Sequence, residues 1–178
     1  MTLRTRSSAA YKGLHALMMR HGCRDFVSGR PVDLMTFFED SIDIHHVFPK
    51  AWCIRHGIAP GRFNSILNKT PLSLLTKRAV GGNAPSAYLR RIEERHGIGS
   101  DQLDGIIRTH LIDPAHLRND DFEAFLAARS VALSRLVEDA MGRAPVGGGL
   151  SDEETGAVDP GWAVDEDDSN DALIEESA

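Results

Sequence analysis

The chain has 178 residues, 42% of them hydrophobic and 26% charged, with a formal net charge of −6 at pH 7. That length builds one core rather than several, so one domain plus a tail is expected. No apolar run approaches membrane-spanning length, and the arginine-bearing amino terminus is not followed by a hydrophobic signal segment, so secretion and membrane insertion find no support and a cytoplasmic protein is expected.

The net charge hides an asymmetry. Eleven of the 26 acidic residues lie in residues 144–178, which hold no Lys or Arg. Residues 1–143 therefore carry all 20 basic residues against 15 acidic ones, a net of +5. A mildly basic domain over 1–143 suits a polyanionic partner such as DNA, and the aromatic-poor acidic segment over 144–178 is expected to be disordered. The two cysteines, Cys23 and Cys53, form no Cys-x-x-Cys pair, which fits a reduced compartment. Cys53-Ile54-Arg55-His56 has the spacing of half a zinc knuckle without a second half, so structural zinc is not expected.

In chain order, Ser7 or Ser8 can cap a first helix running to His21, with Leu14, Leu17 and Met18 as its apolar stripe and Gly22 as its stop. His15 and His21 are ordinary helix residues on this reading. Residues 25–33 read as a turn, followed by a short helix over 34–38 and then the strand-like run Ser41-Ile42-Asp43-Ile44-His45-His46-Val47-Phe48-Pro49-Lys50, which proline ends. Residues 50–57 look helical as far as Gly57. Pro60-Gly61 breaks the chain before a second strand or turn over 66–72, and a helix begins near Ser73. Further helices are expected over 85–96 with Gly97 as the stop, from a cap at Ser100 or Asp101 through Ile107 or His110, and over 122–141, capped by Asp120 or Asp121 and closed by Gly142. Leu126, Leu133, Leu136 and Val137 mark the last helix as core packing, while His96, His110 and His116 read as surface or cap residues. The fold class is α+β, mainly α.

The paired histidines carry the chemistry. Successive strand side chains point to opposite faces, so one imidazole can hold a metal while its neighbour meets an attacking water, a division that suits phosphodiester hydrolysis. The alternative is a half-buried strand histidine beside an exposed one. Downstream come Phe63-Asn64-Ser65-Ile66-Leu67-Asn68-Lys69-Thr70-Pro71-Leu72-Ser73 and Pro85-Ser86-Ala87-Tyr88-Leu89. With these runs, and the opening Arg4-Thr5-Arg6-Ser7-Ser8-Ala9-Ala10-Tyr11-Lys12, residues 4–142 resemble an HNH endonuclease, most closely the carboxy-terminal HNH domain of GmrSD-type restriction proteins.

The resemblance implies a ββα-metal motif embedded in a helical domain, and a metal-dependent DNA endonuclease from a restriction or defence system. It assigns His45 as metal ligand, His46 as general base and Asn68 as the residue that ties the loop to the site. Mg²⁺, or Mn²⁺, is the implied cofactor. The family's second metal ligand, Asn or His about nine residues after that asparagine, falls at Lys77, whose charged ammonium offers no lone pair. Asp43, on the strand face of His45, and Asn83, after Gly81-Gly82, are further candidate neighbours of the metal. Lys50, Lys69 and Arg78 are expected near DNA phosphates, with simple solvation as the alternative for each.

Three classes remain open: an active nuclease, an HNH-derived module that binds DNA or a partner without cutting, and a purely structural helical domain. Family members carry an amino-terminal domain resembling a ParB-type nucleotidase. Nothing in this chain matches it, so the expectation is a detached carboxy-terminal part that acts alone, acts with a separately encoded ParB-like partner, or is a decayed remnant.

Overall fold

The computed structural model describes residues 9–32 and 42–142. The expected caps at Ser7 and Ser8, the helix over 34–38 and the acidic segment over 144–178 lie outside them. Helices α1 (Ala9–Arg20), α2 (Lys50–Arg55), α3 (Pro60–Phe63), α4 (Leu74–Val80), α5 (Pro85–His96), α6 (Ser100–Arg108), α7 (Pro114–Arg118) and α8 (Phe122–Met141) surround a small sheet of β1 (Asp43–His46) and β2 (Lys69–Leu72). The two strands pair antiparallel, with His46 opposite Lys69, His45 opposite Thr70 and Asp43 opposite Leu72. The described fold is thus mainly helical with a two-stranded antiparallel sheet.

A two-stranded sheet is marginal alone and needs a packed face. Here Phe48, just past β1, supplies part of it. The ring is fully buried and meets Trp52, Phe122 and Phe125 at centroid distances of 5.1, 5.3 and 5.0 Å. Burying a side chain of this size contributes about 1.5–3 kcal/mol, so the turn between β1 and α2 is fixed by hydrophobic packing. Leu14 and Met18 of α1, Leu72 of β2, Tyr88, Leu89 and Ile92 of α5, and Leu126 and Leu133 of α8 share the same buried cluster.

Local signals place most helix ends. Ser73 Oγ accepts from the Thr76 amide and starts α4, and Asp121 accepts from the Ala124 amide and starts α8. Gly97 and Gly142 take left-handed conformations, with φ of 64° and 65°, directly after α5 and α8.

Two expectations need correction, and two further features were not foreseen. Pro60-Gly61 does not merely break the chain: Pro60 occupies the first turn of α3, where its missing N–H costs nothing. Neither Ser100 nor Asp101 caps α6; Gly99 holds that position, without a side-chain cap. An unexpected helix, α7, follows Asp113, whose carboxylate accepts from the Ala115 amide. Asp120 serves a different helix from the one expected: its carboxylate accepts from the Ser86 amide and hydroxyl at 2.8 and 2.7 Å, completing the N-terminus of α5.

Candidate functional site

The site is built on β1, the segment that follows it, the 3₁₀ turn Ile66–Asn68, and β2 with α4 behind it. Asn68 is fully buried. Its Oδ1 accepts from the Phe48 amide at 2.8 Å, while Nδ2 donates to the Phe48 and Phe63 carbonyls, each at 2.9 Å. One amide thereby binds the exit of β1 to the end of α3. The Val47 amide also donates to the Asn68 carbonyl, at 2.9 Å, and Tyr88 Oη donates to the Val47 carbonyl at 3.1 Å.

His45 and His46 are both half-buried, on opposite faces of β1 by strand alternation. Asn64 Oδ1 faces His46 Nε2 at 3.1 Å, and the Phe63 ring stands edge-on to the imidazole at 6.2 Å between centroids. With the amide oxygen accepting, the ring proton sits on Nε2 and Nδ1 is the basic nitrogen. Asn64 belongs to the motif run, but nothing in its spacing marks it as a partner of His46. That pairing follows from α3 folding back toward β1.

Asp43 is exposed, and its Oδ1 accepts from the Ile44 amide at 2.7 Å. Asp43 and His45 share a strand face, so this edge presents one carboxylate and one imidazole. Among the described residues no group of three or more His, Cys, Asp or Glu side chains gathers into a metal site. A sparse donor pair suits a hydrated hard cation that keeps most of its waters, as Mg²⁺ does, and does not suit a zinc-type cage.

The remaining candidates spread outward. Lys50 opens α2 and is half-buried; Lys77 is half-buried in the last turn of α4, with its backbone amide donating to the Ser73 carbonyl; Arg78 is exposed beside it. Lys69 is only 8% exposed, so this expected phosphate contact lies mostly beneath the surface. Asn83 is exposed beyond Gly82, whose carbonyl accepts from Arg55 Nη2 at 2.9 Å. A side chain at Gly82 would meet Ala51 Cβ at 3.2 Å, so the turn lies close against α2.

Three residues behind the site were not anticipated in these roles. Asp25 receives five hydrogen bonds: Oδ1 accepts from the Val27 and Ser28 amides and the Ser28 hydroxyl, and Oδ2 from the Ser73 amide and Thr76 hydroxyl. Burial opposes its ionisation, but the donors, led by the Ser28 and Ser73 amides and Thr76, outweigh burial and hold its pKa below the ordinary value. His110, expected at the surface, is fully buried, with Nδ1 2.7 Å from Thr70 Oγ1 and Nε2 2.6 Å from the Arg24 carbonyl. A carbonyl can only accept, so Nε2 carries the proton and Thr70 donates to Nδ1. Burial is the main cause that lowers the His110 pKa to about 4.

Arg129, on α8, is 1% exposed and donates from Nη2 to the Lys69 carbonyl at 3.0 Å. Its Nε and Nη1 are buried without hydrogen-bond partners, and the guanidinium lies over the Phe125 ring at 5.7 Å. Burial lowers its pKa to about 9. Its place between Leu126 and Leu133 on the apolar stripe is the signal that could have found it.

Cys23 and Cys53 are separate, buried thiols, and burial pushes each up to about 12. Cys53 Sγ lies 3.5 Å from the Phe48 carbonyl, whereas His56 stacks on Trp52 at 3.9 Å, so the half-knuckle spacing serves packing. No described helix is long and apolar enough to cross a membrane.

No family model and no solved structure matches the chain. It is similar to uncharacterized protein MJ0686 of Methanocaldococcus jannaschii, with 28% identity over 129 residues, covering 67% of this chain and 21% of that protein. The chain therefore spans about a fifth of that relative's length.

Proposed function

We propose that the chain is an HNH-type, metal-dependent DNA endonuclease that hydrolyses phosphodiester bonds within a restriction or defence system. The observation that carries this reading is the pair of asparagines around the hairpin. Asn68 binds the β1 exit to the end of α3, and Asn64 faces His46 so that Nδ1 is the base. In the proposed reaction His46 Nδ1 accepts a proton from water, the oxygen attacks phosphorus in line, and the bond to the opposite ester oxygen breaks; that oxygen leaves as an alkoxide and is protonated from solvent. His45, with Asp43 beside it, would hold Mg²⁺ or Mn²⁺, which supplies charge neutralisation at the phosphate. A ParB-like nucleotidase domain is the proposed regulatory partner.

Lys77 favours a second reading, an HNH-derived module that binds DNA or a partner without cutting. Both readings are separated by incubating the chain with supercoiled plasmid and Mg²⁺ or Mn²⁺, with EDTA and His46→Ala as controls. Cleavage that EDTA abolishes and His46→Ala lowers by about 10²–10⁴-fold supports the nuclease. Salt-sensitive DNA binding without nicking, together with nicking gained in Lys77→Asn, supports the derived module. A His46→Ala variant that cleaves within about threefold of the parent would remove His46 from the role of base.

A further inference from the structure

α4 and α5 pack against each other, and a surface depression between them is lined by Leu75, Arg78, Ala79, Arg91, Arg95 and His96. Arg91 and Arg95 lie one helical turn apart on α5, and Arg78 faces them from the last turn of α4. The floor is aliphatic: Leu75 is 51% exposed, and Leu74 beside it is 41% exposed.

What sets these guanidinium groups apart is that three of them line one depression. Arg62 forms a bidentate pair with Glu123, and Arg118 is held by Glu93 and Asp104 at 2.7 and 2.6 Å. Among the described residues no carboxylate pairs with Arg78, Arg91 or Arg95. On α5, Glu93 is turned toward Arg118, and among the described residues Glu94, three positions after Arg91, makes no ion pair with it. Three guanidiniums without a carboxylate partner, with a histidine beside them and an apolar floor, form a local positive field.

We infer that the α4–α5 groove is a docking surface for the phosphate backbone of duplex DNA. Guanidinium forks match phosphate oxygens, and each neutralised phosphate releases condensed counterions, which is where nonspecific DNA affinity originates. The groove also adjoins the candidate site, because α4 follows β2 with only Ser73 between them and carries Lys77 and Arg78 in its last turn. The inference deepens the reading above: it rests on DNA as the partner, and it does not require cleavage.

The test compares the full chain with two double variants of equal charge change. Arg91→Ala with Arg95→Ala empties the groove; Arg108→Ala with Arg135→Ala removes two exposed arginines from α6 and α8. Binding of a labelled duplex oligonucleotide is followed by fluorescence anisotropy over a range of salt concentrations, with circular dichroism confirming that each variant is folded. The groove variant should lose about tenfold in affinity at low salt, and its log–log salt slope should shrink by about two, near one for each charge removed, while the control stays within about threefold of the parent. Equal losses in both variants, an unchanged groove variant, or a parent that binds polyglutamate in preference to duplex would each overturn the assignment. Plasmid nicking measured alongside keeps the two proposals apart: a chain that binds through the groove yet never cuts sinks the nuclease and leaves the groove standing.

Discussion

The contact between Asn64 Oδ1 and His46 Nε2, 3.1 Å long, chooses between the two neutral forms of an imidazole, and only one of them has a basic Nδ1. Removing the amide takes away the acceptor that favours the Nε2–H form. For Asn64→Ala we predict that cleavage, where the parent cleaves, falls by about tenfold, less than the loss in His46→Ala. The stability change should stay within about 1 kcal/mol, because the Asn64 Nδ2 that disappears is itself buried without a partner. Nitrogen chemical shifts of His46 give a readout independent of activity: the Nε2–H form should dominate in the parent and lose its dominance in the variant. A parent ring protonated at Nδ1 would end this account of Asn64.

At the scale of elements, the ββα arrangement is held from outside. α4 is attached to the loop after α1 through Asp25, whose carboxylate reaches the Ser73 amide that precedes α4 and the Thr76 hydroxyl within its first turn. The sequence marks Asp25 as a turn residue but gives no sign that its other oxygen caps a helix almost fifty positions away. Asp25→Ala would take the acceptor from the Ser28, Ser73 and Thr76 donors together, each partly or wholly buried, while the Val27 amide keeps Thr76 Oγ1 at 3.2 Å. We expect a loss of about 3 kcal/mol or more in urea unfolding. A loss below about 1 kcal/mol would mean that packing alone holds α4 in place.

Across the whole molecule, buried basic groups tie stability to pH. Burial, reinforced by Arg129 and Lys69, lowers His15 to about 4, and burial lowers His110 to a similar value. Both pKa values are depressed below the unfolded value of 6.5, so below that pH the unfolded chain binds more protons than the folded one. Their contribution is fully present above pH 6.5 and is lost as the pH falls from there towards 4. Each shift corresponds to at most about 3 kcal/mol. Thermal unfolding should therefore show Tm falling over that window, with a shallower fall in His110→Gln. A Tm that stays flat between pH 6.5 and 4.5 would show that neither histidine is neutral for the reason given. Asp25 acts in the same direction at lower pH: its pKa is depressed, so its contribution is present above the ordinary carboxylate value and lost as the pH falls through the folded one.

Local chemistry was enough for those elements whose signals lie within a few residues: Ser73 and Asp121 as caps, Gly97 and Gly142 as stops, the apolar stripe of α8, and the order of strand, loop, strand and helix. Proline and serine chemistry and helical periodicity act over one turn of chain, so they can be read in the sequence. The sequence alone also set out the His45-His46 and Asn68 constellation and the basic balance of residues 1–143. Only the tertiary structure decided that Asp120 caps α5, that Asn64 faces His46, that His110 joins Thr70 to Arg24, and that Lys69 and Arg129 lie inside. Each of these depends on which segment packs against which, because a buried polar group takes whatever donor or acceptor the fold brings within about 3 Å, however distant in the chain.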